Sequence, residues 1–214
     1  MRYTTVIFDL DGTLLNTLED LRDSLNEVLK QMGYTPKTIE EVRRFVGNGV
    51  RNLIRKSVPE SVSEDELTAI MEIFKENYEH NMQNKTRPYN GIMELLLDLN
   101  RYNYKLAIVS NKYDSAVKEL AKTYFGNLIP VAIGETQEIK RKPAPDSIFE
   151  AVKELGSDLD HTVLVGDSET DVQTARNAGI PCIGVTWGFR SREVLRTEGA
   201  SYLIDTPREL LTLL

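Results

Sequence analysis

Short apolar runs that alternate with helical patterns are the feature that most restricts the fold of this 214-residue chain. The runs are rich in β-branched and aliphatic residues and are bounded by polar residues or glycine, which is typical of buried strands. They lie at residues 3–10, 106–110, 128–133, 162–166 and 181–185, and helical patterns lie at 91–102, 114–125, 145–155 and 169–178. This alternation predicts an α/β fold, a Rossmann-like core with a parallel sheet and right-handed crossovers.

One stretch interrupts the alternation. Between about residues 18 and 83 there is no strand pattern, and four amphipathic segments follow one another at 18–32, 39–46, 50–58 and 64–82. The stretch ends near Arg87-Pro88, a dipeptide that disfavours a continued helix. We therefore predict an α/β core domain formed by residues 1–16 and 87–214, with an inserted α-helical cap domain at 17–86.

Charge and composition exclude several functional classes. The formal net charge is −7 and there is no run of basic residues of the kind that binds nucleic acid or an anionic membrane. The single cysteine, Cys182, lies in an apolar run and is expected to be a buried thiol in a reduced compartment. The N-terminus has neither a signal peptide pattern nor a spanning segment, so we expect a cytoplasmic protein.

Three carboxylates are predicted to converge at one edge of the sheet. Asp9 and Asp11 lie two residues apart at the end of the first strand, and Asp167 follows the fourth. The carboxyl ends of parallel strands meet in one crevice, where such folds bind ligands. Neighbouring carboxylates repel one another unless a cation lies among them, and such oxygen ligands suit Mg²⁺. Asp and Gly are also common in turns, so the first strand end alone is equally typical of a solvated turn.

A hydroxyl, an amide and an ammonium are expected beside these carboxylates. Ser110 and Asn111 close the second strand, and Lys142 opens the segment that leads to the helix after the third. The hydroxyl of Ser110 and the ammonium of Lys142 are groups that bind phosphate oxygens. The run at 140–142 is by itself also typical of a solvated charged surface.

The order of these segments resembles the four motifs of the haloacid dehalogenase superfamily, and the match spans nearly the whole chain. The segments are Asp9-Leu10-Asp11-Gly12-Thr13-Leu14, Ser110-Asn111-Lys112, Lys142-Pro143-Ala144-Pro145-Asp146 and Gly166-Asp167-Ser168-Glu169-Thr170-Asp171. The helical insertion after the first segment is similar to the small cap of that superfamily. The turn Val46-Gly47-Asn48-Gly49 is similar to one in phosphoglycolate-phosphatase relatives.

The resemblance implies a role for each of these residues. Asp9 would attack phosphorus as the nucleophile, and Asp11 would act as general acid and then general base. Mg²⁺ would be held by Asp9, Asp11 and Asp167, while Asp171 would orient metal-bound water or Lys142. Ser110, Asn111 and Lys142 would bind the phosphate.

In the cap, the resemblance implies that the glycine turn faces the substrate. Gly47, Asn48, Gly49 and Arg51 would contribute there, although a simple turn between two cap helices explains the glycines equally well. We expect the insertion to be a mobile lid, because an aspartyl-phosphate must form away from bulk water. Asn16 stands where relatives usually have Asp, and we expect it to cap the helix that follows.

These features predict a Mg²⁺-dependent phosphatase for a small phosphorylated metabolite, with 2-phosphoglycolate as the leading substrate. A phosphomutase of the β-phosphoglucomutase kind and a pyrophosphatase are the alternative enzymes. The alternative outside enzymes is a receiver module that is phosphorylated on Asp, although receivers lack a helical insertion after the first strand. We expect a monomer or a homodimer, with no nucleic-acid or membrane partner.

Overall fold

The protein, in a computed structural model, is described here for residues 3–214. The strands are β1 Thr5–Phe8, β2 Leu15–Asn16, β3 Arg87–Pro88, β4 Lys105–Tyr113, β5 Val131–Glu135, β6 Thr162–Gly166, β7 Cys182–Val185 and β8 Tyr202–Ile204. The helices are α1 Leu18–Gln31, α2 Ile39–Phe45, α3 Gly49–Ser57, α4 Glu64–Asn81, α5 Ile92–Arg101, α6 Asp114–Phe125, α7 Asp146–Glu154, α8 Glu169–Ala178 and α9 Arg192–Glu198. Within residues 3–214 no helix has the length and apolar content needed to cross a membrane.

Six strands form a parallel sheet in the order β5-β4-β1-β6-β7-β8. This arrangement confirms the predicted α/β fold. Strand β1 is completely buried and pairs with β4 on one side and with β6 on the other. The chain fills the sheet first on the β4 side of β1 and then on the β6 side, so the strand order reverses at β1. Ligand sites of open α/β sheets lie at the carboxyl ends of the strands beside such a reversal.

The C-terminal part of the sheet is where the sequence prediction was incomplete. Helix α9 and strand β8 were not predicted. Strand β8 is an edge strand of only three residues, Tyr202–Ile204, which is shorter than the apolar runs that indicate a strand. Strand β4 is longer than predicted, since its register against β5 shifts after Val109 and pairing resumes at Tyr113. Ser110, the last residue of the predicted strand, and Asn111 therefore lie inside β4, which continues to Tyr113.

The described chain divides into two compact units, one formed by residues 3–15 and 88–214 and the other by residues 16–87. In the second unit, α1 packs against α2 and α4, and α3 packs against α2 and α4. Leu25, Ile54, Ile70 and Phe74 are completely buried among these helices. The four helices lie where the four amphipathic segments predict them.

The start of α1 differs from the expectation for Asn16. Thr17 and not Asn16 occupies the N-cap position, and no side-chain hydrogen bond caps the helix there. The Asn16 Oδ1 atom is 3.5 Å from the backbone nitrogen of Leu18, at the limit of a hydrogen bond. Asn16 therefore contributes little as a capping residue.

A buried carboxylate joins the first and last segments of the helical unit. Asp20, on α1, is 2% exposed and accepts hydrogen bonds from the backbone N–H groups of Lys85 and Thr86. The distances are 2.9 Å from Lys85 and 2.8 Å from Thr86 to Oδ2. The side chain thus joins the first helix of the unit to the segment that leaves it.

We expect Asp20→Ala to lower the free energy of unfolding by about 2–4 kcal/mol, because it removes charge-assisted hydrogen bonds and leaves buried backbone donors unsatisfied. Urea denaturation followed by circular dichroism measures this change. Asp23→Ala is the control, since Asp23 lies on the same helix but pairs with Arg22 and Lys85 at the surface. Equal losses in the two variants would contradict the role assigned to Asp20.

Candidate active site

Asp9 lies directly after the central strand of the sheet. Its backbone N–H donates to the carbonyl of Val165 at 2.9 Å, so the backbone continues along β6 for one residue beyond the last residue of β1. The residue is only 7% exposed. The side chain is therefore held at the carboxyl edge of the sheet by a backbone whose neighbours on both sides are strands.

Two further carboxylates and one ammonium surround Asp9. Asp9, Asp167 and Asp171 each offer an oxygen, and these three oxygens lie within 4.8 Å of one another. The Lys142 ammonium donates to Oδ1 of Asp9 at 2.7 Å and to Oδ1 of Asp171 at 2.6 Å. A third contact runs from Lys142 to the carbonyl of Val109 at 3.2 Å. Lys142 therefore connects the residue that follows β1 with helix α8 and strand β4.

Asp171 is fixed by the first turn of its own helix. It lies in α8, is completely buried and accepts from the backbone N–H of Ser168 at 3.0 Å and from the Ser168 hydroxyl at 2.6 Å, both through Oδ2. Since Oδ1 is bound to Lys142, both oxygens of this carboxylate have donors. The structure thus places Asp171 against Lys142.

Asp167 is fixed by the loop that follows β7. Its Oδ2 accepts the backbone N–H of Phe189 at 2.6 Å, and its Oδ1 accepts the Thr13 hydroxyl at 3.3 Å. Two glycines make this close approach possible. A Cβ atom at Gly188 would lie 2.3 Å from the Asp167 Cβ, and one at Gly12 would lie 2.4 Å from the Asp167 Oδ2. Gly12 also has φ +94°, which favours glycine.

Burial dominates the electrostatics of this group. It raises the pKa of Asp9 to about 7, against the opposing effect of Lys142 and with a further contribution from Asp171. Burial and the charge of Asp9 also hold the pKa of Asp167 well above its usual value. For Lys142 burial alone lowers the pKa, but the carboxylates of Asp171 and Asp9 outweigh it and the pKa is raised. Lys142 therefore stays charged beside Asp9, whose carboxyl resists ionisation.

The donor set fits a hard divalent cation. Three buried carboxylates face one ammonium, so negative charge is in excess when all three are ionised. Carboxylate oxygens are the ligands that Mg²⁺ and Ca²⁺ prefer. A cation among them would offset the burial and the mutual repulsion that raise the pKa values of Asp9 and Asp167.

Asp11 is not in this group. Its carboxylate accepts from the ammonium of Lys112, at 2.8 Å through Oδ1 and 2.9 Å through Oδ2. The sequence interpretation that assigns Asp11 to the metal therefore stays a prediction. The contact between Lys112 and Asp11 was not predicted. In the sequence Lys112 is only the last residue of the Ser110-Asn111-Lys112 segment, and a lysine at a strand end does not indicate which carboxylate it will contact.

The remaining predicted phosphate-binding residues lie close to the carboxylates. Ser110 and Asn111 are 6% and 5% exposed in β4. The Asn111 side-chain amide donates to the carbonyl of Lys142 at 3.0 Å, and the backbone N–H of Lys112 donates to the Ser110 hydroxyl at 3.2 Å. The structure thus joins the segment that carries Ser110 and Asn111 to the one that carries Lys142. The Lys142–Pro143 peptide bond is cis.

The predicted substrate turn of the helical unit has its own local structure. Gly47 and Gly49 have φ values of +107° and +79°, and Asn48 precedes α3 as its N-cap residue. Arg51 donates a hydrogen bond to Glu64 on α4. Within its own unit Arg51 thus has an acidic partner, and its contact with substrate stays a prediction.

The segment 187–190 contributes contacts to the site that the sequence analysis did not predict. Trp187 Nε1 donates to the carbonyl of Thr13 at 3.0 Å, and Arg190 Nε donates to Glu169 at 2.8 Å. Together with the N–H of Phe189 on Asp167, these contacts join the loop after β1 to the start of α8. The one signal in the sequence is a glycine, Gly188, between two aromatic residues directly after a predicted strand.

The raised pKa of Asp9 predicts an unusual pH dependence in the presence of a chelator. A carboxyl with a folded-state pKa of about 7 keeps its proton where the unfolded chain, at 3.8, has lost it. The free energy of unfolding should therefore fall as the pH rises through this interval. Denaturant titrations at several pH values measure the slope of the free energy of unfolding against pH. This slope should be shallower in the Asp9→Asn protein.

Asp205→Asn is the control for this experiment. The Thr186 hydroxyl and Arg192 lower the pKa of Asp205, so its contribution is complete above about pH 4 and its loss should leave the slope unchanged. An Asp9→Asn protein with the slope of the unmodified chain would show that Asp9 does not carry the effect.

Comparison with known proteins agrees with this geometry. Residues 6–185 match the model of the haloacid dehalogenase-like hydrolase family. The chain is 35% identical over 202 residues to the phosphoglycolate phosphatase of Mesorhizobium japonicum, with 92% of this chain and 89% of that protein covered. A crystal structure from Lactobacillus delbrueckii subsp. bulgaricus, named "putative phosphoglycolate phosphatase", is 38% identical with a TM-score of 0.92, over 98% of this chain and 97% of that one.

A third similar structure contains a ligand. The CbbY protein from Rhodobacter sphaeroides, solved in complex with phosphate, is 25% identical with a TM-score of 0.80 over 97% of this chain and 96% of that one. The family match covers most of the chain, and the relatives are similar along nearly their whole length. The chain therefore belongs to the haloacid dehalogenase-like hydrolases.

Proposed function

We propose that the chain is a Mg²⁺-dependent phosphatase that hydrolyses 2-phosphoglycolate through an aspartyl-phosphate on Asp9. The observation that carries the proposal is the position of Asp9, buried at the end of the central strand, held by Lys142 and grouped with Asp167 and Asp171. The relatives named phosphoglycolate phosphatase support the choice of substrate.

In the first half of the reaction a carboxylate oxygen of Asp9 attacks phosphorus. A bond forms between that oxygen and phosphorus, and the ester bond from phosphorus to the leaving oxygen breaks. Asp11 gives its proton to the leaving oxygen, so that glycolate departs as an alcohol. Lys142 keeps the Asp9 carboxylate in one orientation through the hydrogen bond to Oδ1.

In the second half the phosphoryl group passes to water. Asp11 removes a proton from the attacking water, the new bond to phosphorus forms, and the bond from phosphorus to Asp9 breaks. Inorganic phosphate leaves, and both carboxyls return to their starting states. The covalent intermediate divides one difficult displacement into two easier ones.

We propose that Asp9 and Asp167, whose oxygens lie within 4.8 Å of one another, bind Mg²⁺. When bound, Mg²⁺ supplies positive charge that offsets the repulsion between a carboxylate and a phosphate dianion. Asp171 acts on Lys142, to which it is hydrogen-bonded. A further metal contact from Asp11 stays a prediction, since its carboxylate is bound to Lys112.

The phosphate-binding residues of the proposal are Ser110, Asn111 and Lys142. All three are buried at the carboxyl edge of the sheet, and Asn111 is bonded to the backbone of Lys142. The phosphate found in the related CbbY structure supports phosphate binding by this fold. We also propose that the helical insertion is a cap domain of residues 17–86, which the compact unit at 16–87 supports.

Asp9→Asn should reduce phosphate release from 2-phosphoglycolate by at least about 10³-fold, because an amide cannot serve as the nucleophile. Colorimetric detection of phosphate measures the rate. Asp65→Asn on the exposed face of α4 is the control and should leave the rate unchanged. An Asp9→Asn rate within about tenfold of the unmodified enzyme would exclude the covalent route.

Gly188→Ala should weaken Mg²⁺ binding by at least about tenfold, as changes next to metal ligands commonly do. Its Cβ would lie 2.3 Å from the Asp167 Cβ and 2.5 Å from the carbonyl of Gly12, so Asp167 must move. Calorimetric titration with Mg²⁺ measures the affinity. Gly126→Ala is the control, because a Cβ there meets nothing within 4 Å. Its φ of +54° is itself unfavourable for alanine, whereas Gly188 has no positive φ, so backbone strain alone would affect the control and not Gly188→Ala. Unchanged affinity in Gly188→Ala would contradict the assignment of Asp167 as a ligand.

A further inference from the structure

We propose that Lys112 binds the carboxylate of the substrate's leaving group and so makes the site selective for phosphate esters whose alcohol carries a negative charge close to the ester oxygen. The inference rests on the proposed function, which assigns Asp11 to the leaving oxygen. It assigns to Lys112 a role in binding the leaving group, separate from the binding of the phosphoryl group.

The position of Lys112 is defined by β4. It is two residues beyond Ser110 in the strand, is 7% exposed, and its ammonium contacts both oxygens of Asp11 at 2.8 and 2.9 Å. The Asp11 side chain is 18% exposed, more than that of Lys112. The pair therefore consists of a buried cation and a carboxylate that still reaches solvent.

The two buried lysines of the site have different surroundings. Lys142 contacts Asp9, Asp171 and the carbonyl of Val109, and an ammonium has three N–H donors. The ammonium of Lys142 is thus paired with Asp9, the proposed nucleophile, and with Asp171. Lys112 stands against Asp11, the group to which the proposed function assigns the leaving oxygen. Positive charge is therefore present beside Asp9, the proposed nucleophile, and beside Asp11, the proposed acid.

The chemistry of 2-phosphoglycolate brings its carboxylate to Lys112. One methylene separates this carboxylate from the leaving oxygen. When the leaving oxygen is within hydrogen-bonding distance of Asp11, the carboxylate is also close to the ammonium that Asp11 contacts. Lys112 can then exchange one oxygen of Asp11 for one oxygen of the substrate, which keeps the buried ammonium paired. An ion pair of this kind is strong where solvent is largely excluded.

Two other roles for Lys112 lead to different results. If Lys112 only orients Asp11, its loss affects every ester alike. If it binds the phosphoryl group, its loss again affects every ester alike, because all of them carry that group. Only contact with the leaving group makes the effect depend on the charge of the alcohol.

The experiment measures binding by calorimetry in Asp9→Asn protein with Mg²⁺ present, so that no turnover occurs. The two ligands are 2-phosphoglycolate and ethyl phosphate, which has a methyl group in place of the carboxylate. Lys112→Met removes the charge at similar length. Lys112→Gln also removes the charge but keeps a donor for Asp11, and serves if the Met variant does not fold. Lys118→Met, on the exposed face of α6, is the control for the substitution itself.

We expect loss of the Lys112 charge to weaken binding of 2-phosphoglycolate by at least about tenfold, the effect of removing a charge-assisted hydrogen bond, and that of ethyl phosphate by less than about threefold. The inference would be overturned if the binding of both ligands were weakened equally, or if the binding of neither were weakened. It would also be overturned if the protein with Lys112 intact showed no detectable binding of 2-phosphoglycolate. The proposed function fails separately, if unmodified enzyme releases phosphate from neither ester.

Discussion

The contacts of Lys142 with Asp9 and Asp171 are the interaction on which the rest of the site depends. An ammonium and carboxylates that are buried together must be paired, because an unpaired charge in the interior is strongly destabilising. Here the partners come from residues 9, 142 and 171, far apart in the chain. Only a parallel sheet whose strand order reverses at β1 brings these segments to one edge.

The same arrangement leaves an excess of negative charge that the protein does not neutralise itself. Burial raises the pKa of both Asp9 and Asp167, and the loop after β7 holds Asp167 in place through the N–H of Phe189. Burying these carboxyls without a bound cation lowers the free energy of unfolding. This is the physical basis on which we assign the group to Mg²⁺.

Much of the architecture could be predicted because it depends on local patterns. Helices α6 and α8 begin and end at the predicted residues, and the α/β fold is confirmed. Strand β8 was not predicted because its three residues are too few to indicate a strand. The position of Asp9 and Asp167 at one edge of the sheet could be predicted from strand order alone. The partner of Asp11 could not be predicted in this way. That partner, Lys112, depends on side-chain direction at the end of β4, which no spacing in the sequence encodes.

The central claim is that Asp9 carries the phosphoryl group during turnover, and the most direct test is to observe it. Enzyme mixed with 2-phosphoglycolate and Mg²⁺ is quenched in acid within milliseconds, digested and analysed by mass spectrometry. We expect the peptide containing Asp9 to gain the mass of one phosphoryl group, with fragment ions that assign it to Asp9. Phosphate release at the normal rate with the phosphoryl group on another residue, or on none at any quench time, would contradict the account.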